Sequence, residues 1–239
     1  MILVSNCAHD NGIYTYINEV TGLVIKSSYS PEGITRLEQE RVGYEWYFRL
    51  GGLLGVEPLS MSKNKAGSYG RLKVRRFPGH SGNSYGSLSG NRDDLLAAVA
   101  FYSRVWPRLA DGLAPMHGDF SLGNMIFQDD EIALVDWEHF RPNGVPWGMD
   151  LLNLLYESVT FSLHGRTKLR PKDERVFREV RRVIASLVEA GGDLTASFES
   201  LHSFVSGNRS MWRGFVGKLP IMNLTPAQRD FVNGLDGSA

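Results

Sequence analysis

This sequence predicts an α+β chain in which strands gathered round one helix come first and helices follow. Three observations lead there. Short β-rich runs bounded by turn residues crowd the first third, and the clearest amphipathic stripe lies well after it. Between them sits PGHSGNSYGSLSG, Pro78 to Gly90, a glycine- and serine-rich stretch that marks a boundary, either a hinge or a mobile loop. At 239 residues the chain exceeds one usual compact domain, which fits one two-lobed unit or two small domains.

Ile13 to Asn18 reads as a strand, Val20-Thr21-Gly22 as a turn, and Leu23-Val24-Ile25 as a short apolar strand ending in Lys26. Ser30-Pro31 is a helix start, because a hydroxyl caps free amides and proline suits the first turn. That helix should reach about Leu50, weakened by Gly33 and Gly43, and stop at Gly51-Gly52. Arg71 to Phe77 is a further strand. Beyond the boundary, helices are expected over 92–106, 148–163 and 172–190. In the last of these Val176, Phe177, Val180, Val183, Ile184, Leu187 and Val188 share one face. Thr225-Pro226-Ala227-Gln228 opens a final short helix with a capping box. The division is therefore 1–78, 79–90 and 91–239.

Composition narrows the function classes. Lysine plus arginine and aspartate plus glutamate number 26 each, so net charge is zero, which argues against a dedicated nucleic-acid binder. The longest apolar run, Leu95 to Tyr102, falls far short of the ~18 residues of a membrane span. The first residues lack a signal-peptide pattern. Cys7 is the single cysteine, which excludes an internal disulfide and any multi-cysteine metal site. The default is a cytoplasmic protein.

The chemistry concentrates in HGDFSLGNMIFQDDEIALVDWE, residues 117 to 138. Met125-Ile126-Phe127 and Ala133-Leu134-Val135 flank a polar turn and predict a β-hairpin. If it is symmetric about Asp130, Asn124 and Asp136 face each other with Cα atoms roughly 4.5–5.5 Å apart. Asp119 is carried to the same corner by a loop containing Gly123. Converging carboxylates and an amide suit Mg²⁺, which takes hard oxygen ligands together with substrate phosphates. A further carboxylate can orient an attacking hydroxyl and accept its proton. That is the equipment of phosphoryl transfer.

This stretch resembles the aminoglycoside phosphotransferase and choline kinase group, relatives of the protein kinases. His117-Gly118-Asp119, four residues and Asn124 match the catalytic loop; Asp136, in Asp136-Trp137-Glu138, matches the metal-binding aspartate on a hairpin. Asp150, opening a helix in WGMDLLNLLYE, matches the aspartate that supports the loop. The resemblance implies a bilobal protein-kinase-like fold, with a small β-rich N-lobe holding one main helix and a larger, mostly helical C-lobe. It also implies roles. Asp119 would be the catalytic base or hydroxyl-orienting carboxylate, Asn124 and Asp136 would hold Mg²⁺ between the nucleotide phosphates, and His117 would brace the loop. Glu138 would be an outer metal group or a substrate contact. Lys26, after an apolar strand, would meet the nucleotide phosphates, held by a glutamate of the following helix. Glu38, Glu40 and Glu45 are candidates, and Glu45 is favoured because it adjoins the apolar side. Two features depart from the pattern: Ser121 stands where relatives carry histidine or lysine, and His9-Asp10-Asn11-Gly12 is only a faint phosphate loop.

The activity implied is transfer of the γ-phosphate of ATP or GTP to a hydroxyl of a small molecule, a sugar, amino sugar or amino alcohol. The alternative is an inactive kinase-like nucleotide-binding module of regulatory or scaffolding type. A protein kinase and a phosphodiester hydrolase fit less well. Plainer readings stand beside the sharp ones. Glu45 can pair with Arg41 one turn away. Trp137, Phe140 and Trp147 suit a core more than a pocket, and the basic run from Arg166 to Arg182 suits a solvated helix face. Asp150, Glu157, Asp173 and Glu174 are the carboxylates able to converge on a cationic acceptor. Acceptor, nucleotide and oligomeric state stay open.

Overall fold

The computed structural model describes residues 12–50, 60–109, 113–189 and 224–236. Cys7, the His9–Asn11 part of the faint phosphate loop and the Gly51-Gly52 helix stop lie outside them. The chain divides into two compact units, one of residues 1–80 with 126–141, the other of residues 81–125 with 142–239.

In the first unit four strands form an antiparallel sheet in the order β1-β2-β4-β3, from β1 (Ile13–Asn18), β2 (Leu23–Ser28), β3 (Ser60–Lys63) and β4 (Gly70–Arg75). Strand β2 runs past Ile25, so Lys26 is a mid-strand residue opposite Thr15 and Leu72. Helix α1 (Pro31–Arg49) begins as its sequence demands, with the Gly33 amide donating to Ser30 Oγ at 3.0 Å. Its buried stripe, Ile34, Leu37, Glu40, Tyr44 and Tyr47, repeats every three or four residues and contains one charged side chain.

The segment 126–141 belongs with this unit, whereas the sequence division left it with the C-terminal part. Packing explains the difference. Trp137 is fully buried against the rings of Tyr44, Trp46 and Tyr47, and the Tyr47 hydroxyl donates to the Ile132 carbonyl at 3.4 Å. Gly43 makes this approach possible, since a Cβ there would lie 2.6 Å from that of Trp137. The glycine that weakens α1 locally is what lets the hairpin pack on it.

The second unit carries α2 (Arg92–Val105), α3 (Met149–Ser162), α4 (Pro171–Glu189) and α5 (Pro226–Asp236), with a two-stranded piece of β6 (Leu113–Met116) and β9 (Arg141–Pro146); the two-residue β5 (His80–Ser81) precedes them. Helices α2, α3 and α4 pack on one another around Leu95, Val99, Leu151, Leu155, Phe177, Val180 and Ile184, all buried. Val183, placed on the apolar face by its sequence, is instead 38 % exposed. In the capping box of α5 the Thr225 amide donates to Gln228 Oε1 at 2.8 Å and the Gln228 amide to Thr225 Oγ1 at 3.3 Å. No described helix is long and apolar enough to cross a membrane.

Candidate functional site

In the second unit the HGD loop runs from the end of β6 to β7 (Met125–Gln128). Trp106 donates its indole N–H to the Pro115 carbonyl at 2.8 Å, tying the preceding strand to α2. Phe120 is fully buried, edge-on to Tyr102, Trp106 and His117. This anchor sits immediately after Asp119, which stays partly exposed. Gly118 adopts φ +88°, a conformation that a side chain would resist.

Asp150, buried in the first turn of α3, accepts the backbone amides of His117 at 2.9 Å and Gly118 at 3.1 Å. Burial pushes its carboxyl up to about 7 against the pull of those two amides, and the nearby Asp119 charge adds to the rise. The buried His117 ring accepts the Asp119 amide on Nδ1 at 3.2 Å, which makes it a brace of the loop. Asn124 closes the loop: its Nδ2 donates to the Asp119 carbonyl and to Asp119 Oδ2, both at 2.9 Å. The amide nitrogen is thereby committed to Asp119, and the amide oxygen is the atom suited to a hard cation.

The glycine- and serine-rich segment touches the same loop. Ser81 Oγ donates to the Gly123 carbonyl at 3.2 Å, and the Gly123 amide donates to Ser84 Oγ at 2.6 Å. These two serines carried no signal as single residues. Glu157 is a half-buried carboxyl two turns beyond Asp150 on α3; burial first and the Asp119 charge second push it up to about 8, opposed by a hydrogen bond with Ser121. Of the carboxylates expected to converge, Asp150 and Glu157 feel the charge of Asp119. Asp173 instead accepts the Ser89 amide and Arg170, and Glu174 pairs with Arg178.

In the first unit, the hairpin of β7 and β8 (Glu131–Leu134) turns at Asp129, whose φ is +52°. Asp136 lies beyond the ladder at φ +65°, a left-handed conformation uncommon for a residue other than glycine. Asn124 ends the 3-10 turn that precedes β7. Lys26 Nζ lies 2.5 Å from Asp136 Oδ1 and 2.8 Å from Glu40 Oε1. Burial disfavours the ammonium, but Asp136 and then Glu40 outweigh it and hold the Lys26 pKa well above its ordinary value. Burial drives Glu40 up to about 7 despite Lys26. The lysine sits off the axis of a good hydrogen bond, so neither buried oxygen of Glu40 has an aligned partner. The Asp136 amide donates to the Tyr44 hydroxyl at 3.4 Å.

The glutamate beside Lys26 is thus Glu40, and the expectation of Glu45 is corrected. Glu45 points off the buried stripe and pairs with Arg41, the plainer reading of that pair. The stripe itself was the missed signal, since 37, 40, 44 and 47 share a helical face and 45 does not. Glu138 lies 3.3 Å from His139 Nε2 and 3.6 Å from Arg36. Burial opposes its charge, yet the His139 contact holds its pKa below the ordinary value. Among the described residues no three His, Cys, Asp or Glu side chains gather as a metal-ligand group. Trp137, Phe140 and Trp147 are core residues.

A search of curated proteins finds no match. Among solved structures, the chain is similar to amicoumacin kinase hAmiN in complex with AMP-PNP, Ca2+ and Ami, at 11 % identity and TM-score 0.52, over 98 % of this chain and 86 % of that one. It is also similar to the GDP complex of aminoglycoside 2'-phosphotransferase-IIIa, at 11 % identity and TM-score 0.44 over 92 % of each chain. A third similarity is to aminoglycoside-3'-phosphotransferase of type VIII, at 15 % identity and TM-score 0.44, over 99 % and 92 %. The fold is kinase-like, with a small antiparallel sheet and helices. The model of the phosphotransferase enzyme family matches residues 32–162, spanning α1, the HGD loop, the hairpin and α3, and the chain belongs to that family.

Proposed function

We propose that this protein transfers the γ-phosphate of ATP or GTP to a hydroxyl of a small molecule, a sugar, amino sugar or amino alcohol, with Mg²⁺. The observation that carries the reading is the pair Asp119–Asn124, a partly exposed carboxylate that accepts the Asn124 side-chain N–H. Asp119 orients the acceptor hydroxyl and accepts its proton. The acceptor oxygen then bonds to the γ-phosphorus as the bond from phosphorus to the bridging oxygen breaks, and the nucleoside diphosphate leaves.

The Asn124 amide oxygen and the Asp136 carboxylate are the oxygen ligands assigned to Mg²⁺. When bound, the ion neutralises phosphate charge. Lys26 meets the phosphates with its charge secured by Glu40, and Asp150 and His117 hold the loop still. Glu138, engaged with Arg36 and His139, is assigned an outer role near Asp136. A cytoplasmic location goes with this reading.

The test is transfer of labelled phosphate from ATP and GTP, with Mg²⁺, to a panel of sugars, amino sugars and amino alcohols. Label should move to at least one acceptor and should not move with Asp119→Ala, which retains nucleotide binding. Nucleotide binding without transfer to any acceptor or to water would replace the reading with a kinase-like module that binds and does not catalyse.

A further inference from the structure

The antiparallel sheet of the first unit has two faces of opposite character. Gly70, Leu72 and Val74 of β4 face α1: a Cβ on Gly70 would lie 3.2 Å from the Ile34 side chain, and Leu72 and Val74 are buried. Strand alternation therefore puts Arg71, Lys73 and Arg75 on the other face. Register carries that face across the sheet, from Arg71 to Ser27 and Tyr14 and from Lys73 to Ile25 and Tyr16. Arg71 and Arg75 are exposed and Lys73 is half-buried. None of the strand positions on this face is acidic. The Glu19 carboxylate, beyond the end of β1, reaches Arg76 at 4.0 Å.

Aromatic rings border this row of cations. Tyr69 lies one alternation before Arg71, whose guanidinium sits over the ring at 5.7 Å from its centroid. Tyr29, one residue past the last β2–β4 pair, meets Tyr69 at 4.9 Å between ring centroids and stays 69 % exposed. Tyr14, 39 % exposed, stands on β1, two strands or about 10 Å from β4. The three cations of β4 span about 14 Å. A chain of zero net charge thus gathers cations and protruding rings, without carboxylates among them, on one sheet face. An ordinary solvated surface intersperses both signs and shows few large rings.

We propose that this outer sheet face binds single-stranded nucleic acid, its phosphates along Arg71, Lys73 and Arg75 and its bases on Tyr14, Tyr29 and Tyr69. Cations in a line suit a linear polyanion, and exposed rings beside them suit the unstacked bases that a single strand presents. A duplex keeps its bases stacked inside and leaves such rings unused. An anionic lipid surface would also draw the cations, but it rewards protruding aliphatic side chains, and Leu23 and Ile25 on this face are half-buried. Lys26 is paired with Leu72 and lies on the α1 side of the sheet, so this face is separate from the Lys26 cluster and stands or falls independently of the phosphotransferase reading.

The test is fluorescence anisotropy of short labelled single-stranded RNA and DNA with the full chain over a salt series, beside the matching duplex and phosphatidylserine vesicles. Single strands should bind, and log affinity should fall with log salt at a slope of about −2, three phosphates at about −0.7 each. Arg71→Ala, Lys73→Ala and Arg75→Ala combined should weaken binding about tenfold or more and flatten that slope. Tyr14→Ala and Tyr29→Ala should each lose about fivefold or more with the slope unchanged, whereas Tyr14→Phe, which keeps the ring, should stay within about twofold of wild type. A urea midpoint equal to that of wild type marks each variant as folded. The proposal is overturned if no single strand binds at low salt, if binding survives the triple substitution, or if duplex or vesicles bind as well as the single strand. It is overturned equally if the cations matter and the rings do not, which would make the face a general polyanion surface, or if a Mg²⁺-nucleotide analogue displaces the strand, which would place it at the Lys26 cluster.

Discussion

The HGD loop and the Lys26 cluster are held by different forces. In the loop, side-chain acceptors meet backbone amides: buried Asp150 takes two, buried His117 one, and half-buried Ser84 one. Such contacts set direction as well as distance, so the loop is preorganised. The Lys26 cluster is held by charge. One ammonium lies between two carboxylates, Glu40 lacks aligned hydrogen bonds, and Asp136 sits in an uncommon backbone conformation. A site held by charge is open to rearrangement when an ion or a phosphate arrives. On the proposed phosphotransferase reading, the acceptor would be served by a loop fixed through hydrogen bonds and the nucleotide by an electrostatic arrangement that binding can redraw.

The largest expected effect breaks the loop's chemistry without its structure. Asp119→Ala should lower phosphate transfer by about 10²–10⁴-fold, the usual worth of a general base, with nucleotide affinity retained in calorimetry. Next comes the cluster. Glu40→Gln should weaken Mg²⁺-nucleotide binding about tenfold or more, because an uncompensated buried charge relation is lost, whereas Glu45→Gln should leave it unchanged. Equal effects of the two would restore Glu45 to the role that the structure denies it.

Asp150→Ala sharpens the comparison through stability. It leaves the buried amides of His117 and Gly118 unpaired, at about 1–3 kcal/mol each, visible as a lower midpoint in urea. Gly43→Ala should cost about 1–3 kcal/mol through the clash with Trp137. A further effect is in pH. Glu157 has a folded pKa of about 8, above its ordinary 4.5, so the folded state binds the proton more tightly than the unfolded state does. Its contribution is full below about pH 4.5 and lost as pH rises through about 8. Stability should therefore fall across that window, and Glu157→Gln should flatten the slope; an unchanged slope would contradict the assignment.

Much of the loop was legible because its parts are close in sequence. His117, Asp119, Asn124, Asp136 and Asp150 announce themselves by spacing, and the capping residues Ser30 and Thr225 mark their helices as found. The cluster was less legible. Glu40 is one of three glutamates on α1, and only its place in a stripe broken by polar residues distinguishes it. Strands β3, β6 and β9 gave no signal for physical reasons. Strand β3 (SMSK) is a polar sheet edge, β6 contains Pro115, and β9 begins and ends beside Pro142 and Pro146. The braces Ser81 and Ser84 act through contacts distant in the chain, which periodicity does not report.

The measurement closest to the central claim is a thermal-shift series with ATP, GTP and their non-hydrolysable analogues, each with and without Mg²⁺, on wild type and Asp136→Ala. A ligand that binds only the folded state raises Tm by mass action, about 2.7 kcal/mol of added stability at a hundred times Kd. Wild type should show a Mg²⁺-dependent rise that Asp136→Ala lacks. No rise with any nucleotide, or an equal rise in the variant, would contradict it.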